Sequence, residues 1–289
     1  VTALRLPELQ ARIHSLSELS SVVGAMRSLS AVRAQQARGT LDAIREYTAI
    51  VGAALARSFM HVPSQDRAPD TKSTARTTVV AFGSEHGFVG GFNARVLDCA
   101  AARVGTGGDR LLVVGTRGAL VAAERRLPSD WTCPMASYVG GIQAVATRVA
   151  SEIARESGEL AARVVLVYTR SVGASNWRVV EETLIPCEIT FEAPSAQVSR
   201  VPPISNLGPE ELFDKLVEQL VFARLTRAAS ESFACENSAR LAAMAAAHEN
   251  IETKLAELDR LENEGRQEEV TTELLDIVTG ADAMRDSFE

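Results

Sequence analysis

The chain has 289 residues, 46% of them hydrophobic and 23% charged, with a net charge of −7 and a mean hydropathy of +0.03. A chain of this length fits about two domains and can bury enough apolar surface to fold without staples. The negative balance argues against a general nucleic-acid binder, and the longest uncharged stretch near the N-terminus, Thr48 to Ala56, is far short of the ~20 residues that a membrane helix needs. Cys99, Cys133, Cys187 and Cys235 form neither a CxxC pair nor a disulfide framework, so a reducing compartment is expected. The first residues lack the charged–apolar–small pattern of a secretory leader, and none is expected.

The net charge hides a split. Residues 1–60 carry seven Arg against four acids, whereas residues 210–289 carry eight bases against nineteen acids. Ends of opposite sign suit mutual pairing.

From the N-terminus, Leu9, Ile13, Leu16, Leu19, Val23, Met26 and Leu29 recur at steps of three and four, a helical stripe close to the coiled-coil period. A polar patch, Arg33 to Thr40, interrupts it. The stripe resumes at Leu41, Ile44, Tyr47, Val51 and Leu55. Pro7 suits a first helical turn, and a helix from there to Phe59 would run ~80 Å. Residues 1–60 are therefore predicted as one long helix, and residues 61–76, with Pro63 and Pro69, as a linker.

Residues 77–208 change character. Thr77–Gly83, Arg110–Gly115 and Arg163–Thr169 are short β-branched runs, and Asn176–Thr190 reads as one or two more strands around Pro186. Helical stretches at Gly91–Val104, Gly118–Arg126 and Gly141–Glu156 lie between them. The alternation predicts a parallel sheet with crossover helices.

Pro209-Glu210-Glu211 opens a second long helix, with proline in its first turn and acids at the positive end of its dipole. Residues 209–289 contain no further proline, and the apolar stripe passes through an Ala-rich stretch, Ala239–Ala247, that lets a partner backbone come close. Two helices with exposed apolar stripes are most simply satisfied by each other. The predicted architecture is an α/β insert on a long antiparallel two-helix coiled coil, with the second helix overhanging the first by about 25 residues.

Candidate chemistry is sparse. Ser84-Glu85-His86-Gly87-Phe88-Val89-Gly90-Gly91-Phe92-Asn93 follows the first strand and precedes a helix, where backbone N–H groups can meet a phosphate. The pattern is neither GxGxxG nor a P-loop, so a tight structural turn is the plainer reading. His14, His61, His86 and His248 have no metal-ligand spacing with one another or with Cys. No GxSxG or HExxH run is present, and the lone cysteines read as small buried hydrophobes. The acidic run Glu257–Glu269 is either a solvated face or a surface for a basic partner. Within it, Arg266-Gln267 offers a donor fork and an amide suited to a partner's carboxylate or backbone.

Three blocks carry a resemblance that spans nearly the whole chain. They are Ala25 to Ala31 around Ala25-Met26; Gly87 to Asn93; and Glu236-Asn237-Ser238-Ala239-Arg240-Leu241-Ala242-Ala243-Met244, followed by Arg266-Gln267, Thr271–Leu274 and Ile277–Ala281. In order and spacing they resemble the gamma subunit of the F-type rotary ATP synthases. The resemblance implies a non-catalytic central shaft with a Rossmann-like α/β foot, without cofactor or metal. Its implied partners are an alternating hexamer of alpha and beta subunits, the epsilon subunit and the membrane c-ring, on the cytoplasmic face of a bacterial inner membrane. It implies coupling contacts with beta at Met26, Arg266, Gln267, Thr271 and Glu273, and a structural turn of the foot at Gly87, Gly90, Gly91 and Asn93. Steps of four and seven put Gln267 near Thr271, and Arg266 near Glu273, on related helix faces.

The chain also departs from the family. Ser15–Val23 lacks the usual bases, Val89 stands for a Cys, Glu85-His86 for Asp-Arg, and Asn263-Glu264-Gly265 for a basic stretch. These departures suggest a divergent branch with altered contacts to beta. No cysteine-bearing insert is evident around residues 190–209, so thiol control is not expected. The competing readings are a nucleotide-binding α/β enzyme with helical arms and a homodimeric coiled-coil scaffold.

Overall fold

The computed structural model describes residues 6–59, 76–105, 109–156, 163–173, 176–187 and 206–286. The predicted linker, Arg76 apart, and most of the segment around residues 190–209 lie outside them. Two helices dominate: α1 (Leu6–Phe59, 54 residues) and α5 (Pro209–Asp286, 78 residues). Their ends follow the dipole rule. Glu8 lies in the first turn of α1 and Arg57 in its last. Pro209 starts α5 with Glu210 and Glu211 beside it, and the Leu212 N–H closes back on the Gly208 carbonyl at 2.9 Å.

The chain forms two compact units, Val1–Leu29 with Leu241–Glu289 and Ser30–Arg240. In the first, early residues of α1 meet late residues of α5, which makes the pair antiparallel. The Gln10 amide donates to Glu262 at 3.0 Å, and the Ser20 hydroxyl donates to Glu252 at 2.9 Å. Val23, Met244 and Ile251 are buried together, with Leu16, Met26 and Leu255 against them. Leu19 and Leu29 belong to the predicted stripe yet are about half exposed. A lone partner helix covers a seam narrower than a full amphipathic face.

The second unit holds the remainder of α1 and α5 and a five-stranded sheet. Its strands are β1 (Thr77–Phe82), β2 (Arg110–Val114), β3 (Trp131–Cys133), β4 (Arg163–Val172) and β5 (Asn176–Ile185), in the order β3-β2-β1-β4-β5. All neighbours are parallel except β4 and β5. Three helices complete the crossovers: α2 (Phe92–Ala101), α3 (Thr116–Glu124) and α4 (Ile142–Glu156). Sequence reading did not anticipate β3, whose three residues are too few to show a period. The part of the Asn176–Thr190 stretch up to Ile185 is one ten-residue strand ending before Pro186, and residues 188–190 lie outside the described residues.

Alternation along the strands builds two cores, one per sheet face. Val79, Ala81, Leu111, Val113 and Val167 join Phe92, Val96 and Leu97 of α2 and Ala122 of α3. Val80, Phe82, Leu112, Leu166 and Tyr168 face the other way, toward Ile142, Val145 and Val149 of α4 and toward both long helices. There Ala37 of α1 packs with Leu225, Ala228, Ala229, Phe233 and Ala234 of α5. The polar interruption at Arg33–Thr40 therefore contains buried alanines, Ala34 and Ala37, where small side chains let elements come close.

Within this unit α1 and α5 again run antiparallel. Arg38 donates to Ser238 at 2.9 Å, Tyr47 donates to Gln219 at 3.0 Å, and Val51, Leu55 and Leu220 share an apolar cluster.

Candidate functional site

The loop from Ser84 to Gly91 leaves the carboxyl end of β1. Asn93, buried in the first turn of α2, holds its start: the Ser84 N–H donates to Oδ1 at 2.8 Å, and Nδ2 donates to the Ser84 hydroxyl at 2.8 Å. That hydroxyl in turn donates to the His86 carbonyl at 2.9 Å. Glu85 ties in the chain just after β2 and just after β3. Its carboxylate accepts from the Thr116 N–H and hydroxyl, at 3.1 and 2.8 Å, and from the Met135 N–H at 2.6 Å. Gly90 has φ +57°, a conformation glycine adopts freely, and exposed Phe88 sits at φ +60°, which costs an L side chain about 1–2 kcal/mol. Gly87 and Gly91 have open space where a Cβ would stand.

α5 meets this loop with two buried charged side chains one helical turn apart. The Glu236 carboxylate accepts from the N–H groups of Glu85 and His86 at 3.2 and 3.4 Å. Arg240 donates from Nε to the Gly87 carbonyl and from Nη2 to the His86 carbonyl, both at 3.1 Å, and reaches Glu236 Oε1 at 2.6 Å. Asn237 Oδ1 takes another of its protons at 3.3 Å. Burial pushes the Glu236 carboxyl upward, against the pull of Arg240 and of the two backbone donors. The sequence places both residues in the third block and the loop in the Ser84–Asn93 turn, but does not show that they meet. An acid and an arginine four apart in an otherwise Ala/Ser-rich stretch were the available signal.

A second polar cluster, unanticipated from sequence, joins α1, α5, β4 and β5. Buried Glu231 accepts from Arg170 of β4 at 2.7 Å and from Arg45 of α1 at 3.2 Å. Arg170 also donates to the Tyr168 hydroxyl, which donates to Glu182 of β5 at 2.8 Å. Arg227 of α5 reaches both oxygens of Glu182 at 2.6 Å. Burial first, then the nearby Glu182 charge, raises the Tyr168 hydroxyl and keeps it a donor.

The residues assigned by resemblance to coupling lie in the other unit. Arg266 is 59% exposed and bonds Glu262 of its own helix at 2.7 Å. Gln267, Thr271 and Glu273 are exposed, and the Thr271 hydroxyl turns back to the Gln267 carbonyl at 2.7 Å. Met26 is half-buried in the seam beside Val23 and Met244. Leu6 lies against Gly265, and past that point Val270, Leu274, Leu275, Ile277 and Val278 are each more than half exposed. Among the described residues no group of three or more His, Cys, Asp or Glu side chains is arranged to hold a metal, and no helix is long and apolar enough to cross a membrane.

The family model described as ATP synthase matches residues 5–284. The ATP synthase gamma chain of Chlorobaculum tepidum is 30% identical over 298 residues, covering 97% of this chain and 99% of the relative. That of Thermobifida fusca is 26% identical over 287 residues, covering 94% of each. Among solved structures, a chain of the Euglena gracilis mitochondrial ATP synthase (OSCP, F1 and c-ring, rotational state 3) matches with a TM-score of 0.65 at 15% identity, covering 98% of this chain and 96% of its own length. A chain of the Tetrahymena thermophila mitochondrial ATP synthase central stalk and c-ring matches with a TM-score of 0.57 at 18% identity, covering 78% of this chain and 99% of its own. These structural likenesses concern the fold.

Proposed function

The chain belongs to the ATP synthase gamma-chain family, whose members are non-catalytic subunits, and we propose that it works as the rotating central shaft of an F-type synthase. The paired helices carry rotation into an alternating hexamer of alpha and beta subunits, and the α/β domain is the foot that rests, with epsilon, on the c-ring. The chain is peripheral to the membrane, at the cytoplasmic face of a bacterial inner membrane. Ion flow turns ring and shaft together. A shaft orientation shifts a catalytic beta site only by binding its open and closed forms unequally. The asymmetric contacts in this reading come from Met26, Arg266, Gln267, Thr271 and Glu273. The turn of the foot runs through Gly87, Gly90, Gly91 and Asn93, with the left-handed Gly90 and the buried Asn93 side chain fixing its path.

One observation carries this reading. Beyond Leu6, α5 presents an exposed apolar face from Val270 to Val278 and the exposed side chains of Gln267, Thr271 and Glu273. A surface of that kind needs an enclosing partner. The test is a pull-down from solubilised host membranes through a tag on the α/β domain, with native mass analysis. Three alpha and three beta copies per copy of this chain support the shaft. Recovery of the chain alone, or as a symmetric dimer, refutes it in favour of an enzyme or a scaffold.

A further inference from the structure

We propose that α5 itself fills the crevice in which an α/β sheet of this topology takes an anionic ligand, and that Ser232, Glu236 and Arg240 are the positioning residues through which the α/β domain grips the shaft. The inference rests on the shaft reading above and extends it to the joint between foot and helix.

The strand order locates the crevice. β2 and β3 lie on one side of β1, and β4 lies on the other. The topological switch point is therefore between the carboxyl ends of β1 and β4, where ligands of open α/β sheets bind. The loop after β1 presents N–H groups there, as in phosphate-binding turns. In this chain two of those donors are already used. The oxygens of the Glu236 carboxylate take the N–H groups of Glu85 and His86, as phosphate oxygens would. Arg240 neutralises that carboxylate and closes on the carbonyls of His86 and Gly87, so one α5 pair satisfies both polarities of the same loop. From the β4 side, the Ser232 hydroxyl accepts from the Thr169 N–H at 3.1 Å. The three residues are spaced by four along α5, so one face of the helix contacts both walls of the crevice. All three are buried.

A nucleotide or phosphate would have to displace this internal occupant and strand a buried arginine. The arrangement instead suits the transmission of torque. Opposed donors and acceptors on one short loop resist rotation of α5 about its own axis in either sense.

The test uses the full chain assembled with its synthase partners in sealed vesicles. In Glu236→Leu/Arg240→Met the paired charges are removed together, which avoids leaving a lone buried charge. Hydrogen exchange at the Glu85 and His86 amides should quicken roughly ten- to a hundredfold, the factor for losing a hydrogen bond to a charged group, while the β1 amides stay protected. Ions pumped per ATP hydrolysed should fall. Arg240→Lys keeps the charge beside Glu236 and loses the planar fork, so it serves if the pair variant does not assemble, and it too should lower the pumping ratio. A wild-type ratio in the assembled variants overturns the proposal. So does slowed exchange at the Glu85 and His86 amides of the wild-type protein when magnesium-ATP or inorganic phosphate is added. Failure of the wild-type chain itself to assemble with alpha and beta would refute the shaft reading instead, so the two failures are distinguishable.

Discussion

Glu231 gives the sharpest quantitative test of how the α/β domain is joined to the helices. Its carboxylate is 2% exposed and is shared between Arg170, at 2.7 Å and 33% exposed, and Arg45, at 3.2 Å and 46% exposed. The Coulomb energy of two charges ~4 Å apart at an effective dielectric of 20 is about 4 kcal/mol before screening. Arg45 is the more hydrated and more distant partner, so its pair is worth what exposed pairs are worth, about 0.2–1 kcal/mol. Arg170 makes a short charge-assisted bond from a less exposed position, and Arg170→Ala should cost about 2–3 kcal/mol. Glu231→Ala removes both bonds and leaves two guanidinium groups facing each other. It should cost about 3 kcal/mol, at the low end for a broken buried pair because both arginines can reach water. Urea unfolding of the full chain, diluted below the concentration at which it associates and followed by far-UV circular dichroism and by the fluorescence of Trp131 and Trp177, gives the three values at constant slope. A loss from Arg45→Ala equal to that from Arg170→Ala, or a loss below 1 kcal/mol from Glu231→Ala, would refute the reasoning.

Other tests follow from single positions. Arg266→Ala or Gln267→Ala should change the stability of the chain by less than about 1 kcal/mol, because Arg266 makes only an exposed ion pair, yet should lower ATP synthesis in reconstituted vesicles; wild-type synthesis in both would sink their coupling role. Gly90→Ala should cost about 1–2 kcal/mol through its left-handed φ, whereas Gly87→Ala, with open space at its Cβ, should be near neutral. Replacing Phe88 by Asn at φ +60° should stabilise by about 1 kcal/mol, since Asn tolerates that conformation; a lower denaturation midpoint would contradict it. The thiols of Cys133 and Cys235 are pushed up to about 11 by burial, and that of Cys99 to about 12 by burial and then by Glu181. Raised values mean less thiolate at pH 8, so a disulfide reagent should label these three slowly in the folded chain and rapidly after unfolding.

Much of this architecture was legible because its signals are periodic. The stripe from Leu9 to Leu55 and the runs TTVVAF, RLLVV and RVVLVYT each repeat often enough to declare a helix or a strand buried on both faces. β3 escaped because three residues have no period, and its place at the sheet edge is set by pairing with Leu112–Val114. The partial exposure of Leu19 and Leu29 escaped because a stripe shows which face prefers burial but not how wide a partner will be. The joint between the helices and the domain was illegible for a different reason. Glu236 and Glu85 are 151 residues apart, and Glu231 and Arg170 are 61 apart. Such contacts leave no local pattern beyond charged residues placed where small and apolar ones predominate.

The apolar end of α5 also bears on how the protein must be made. Val270, Leu274, Leu275, Ile277 and Val278 form a run of large side chains in water, each more than half exposed. Patches of this kind drive association between identical chains at micromolar concentrations. Enclosure therefore has to precede accumulation. Co-synthesis with the enclosing subunits should yield dispersed particles, while the chain produced alone should aggregate in proportion to its own concentration, and Ile277→Ser with Leu274→Ser should relieve that aggregation without altering the sheet.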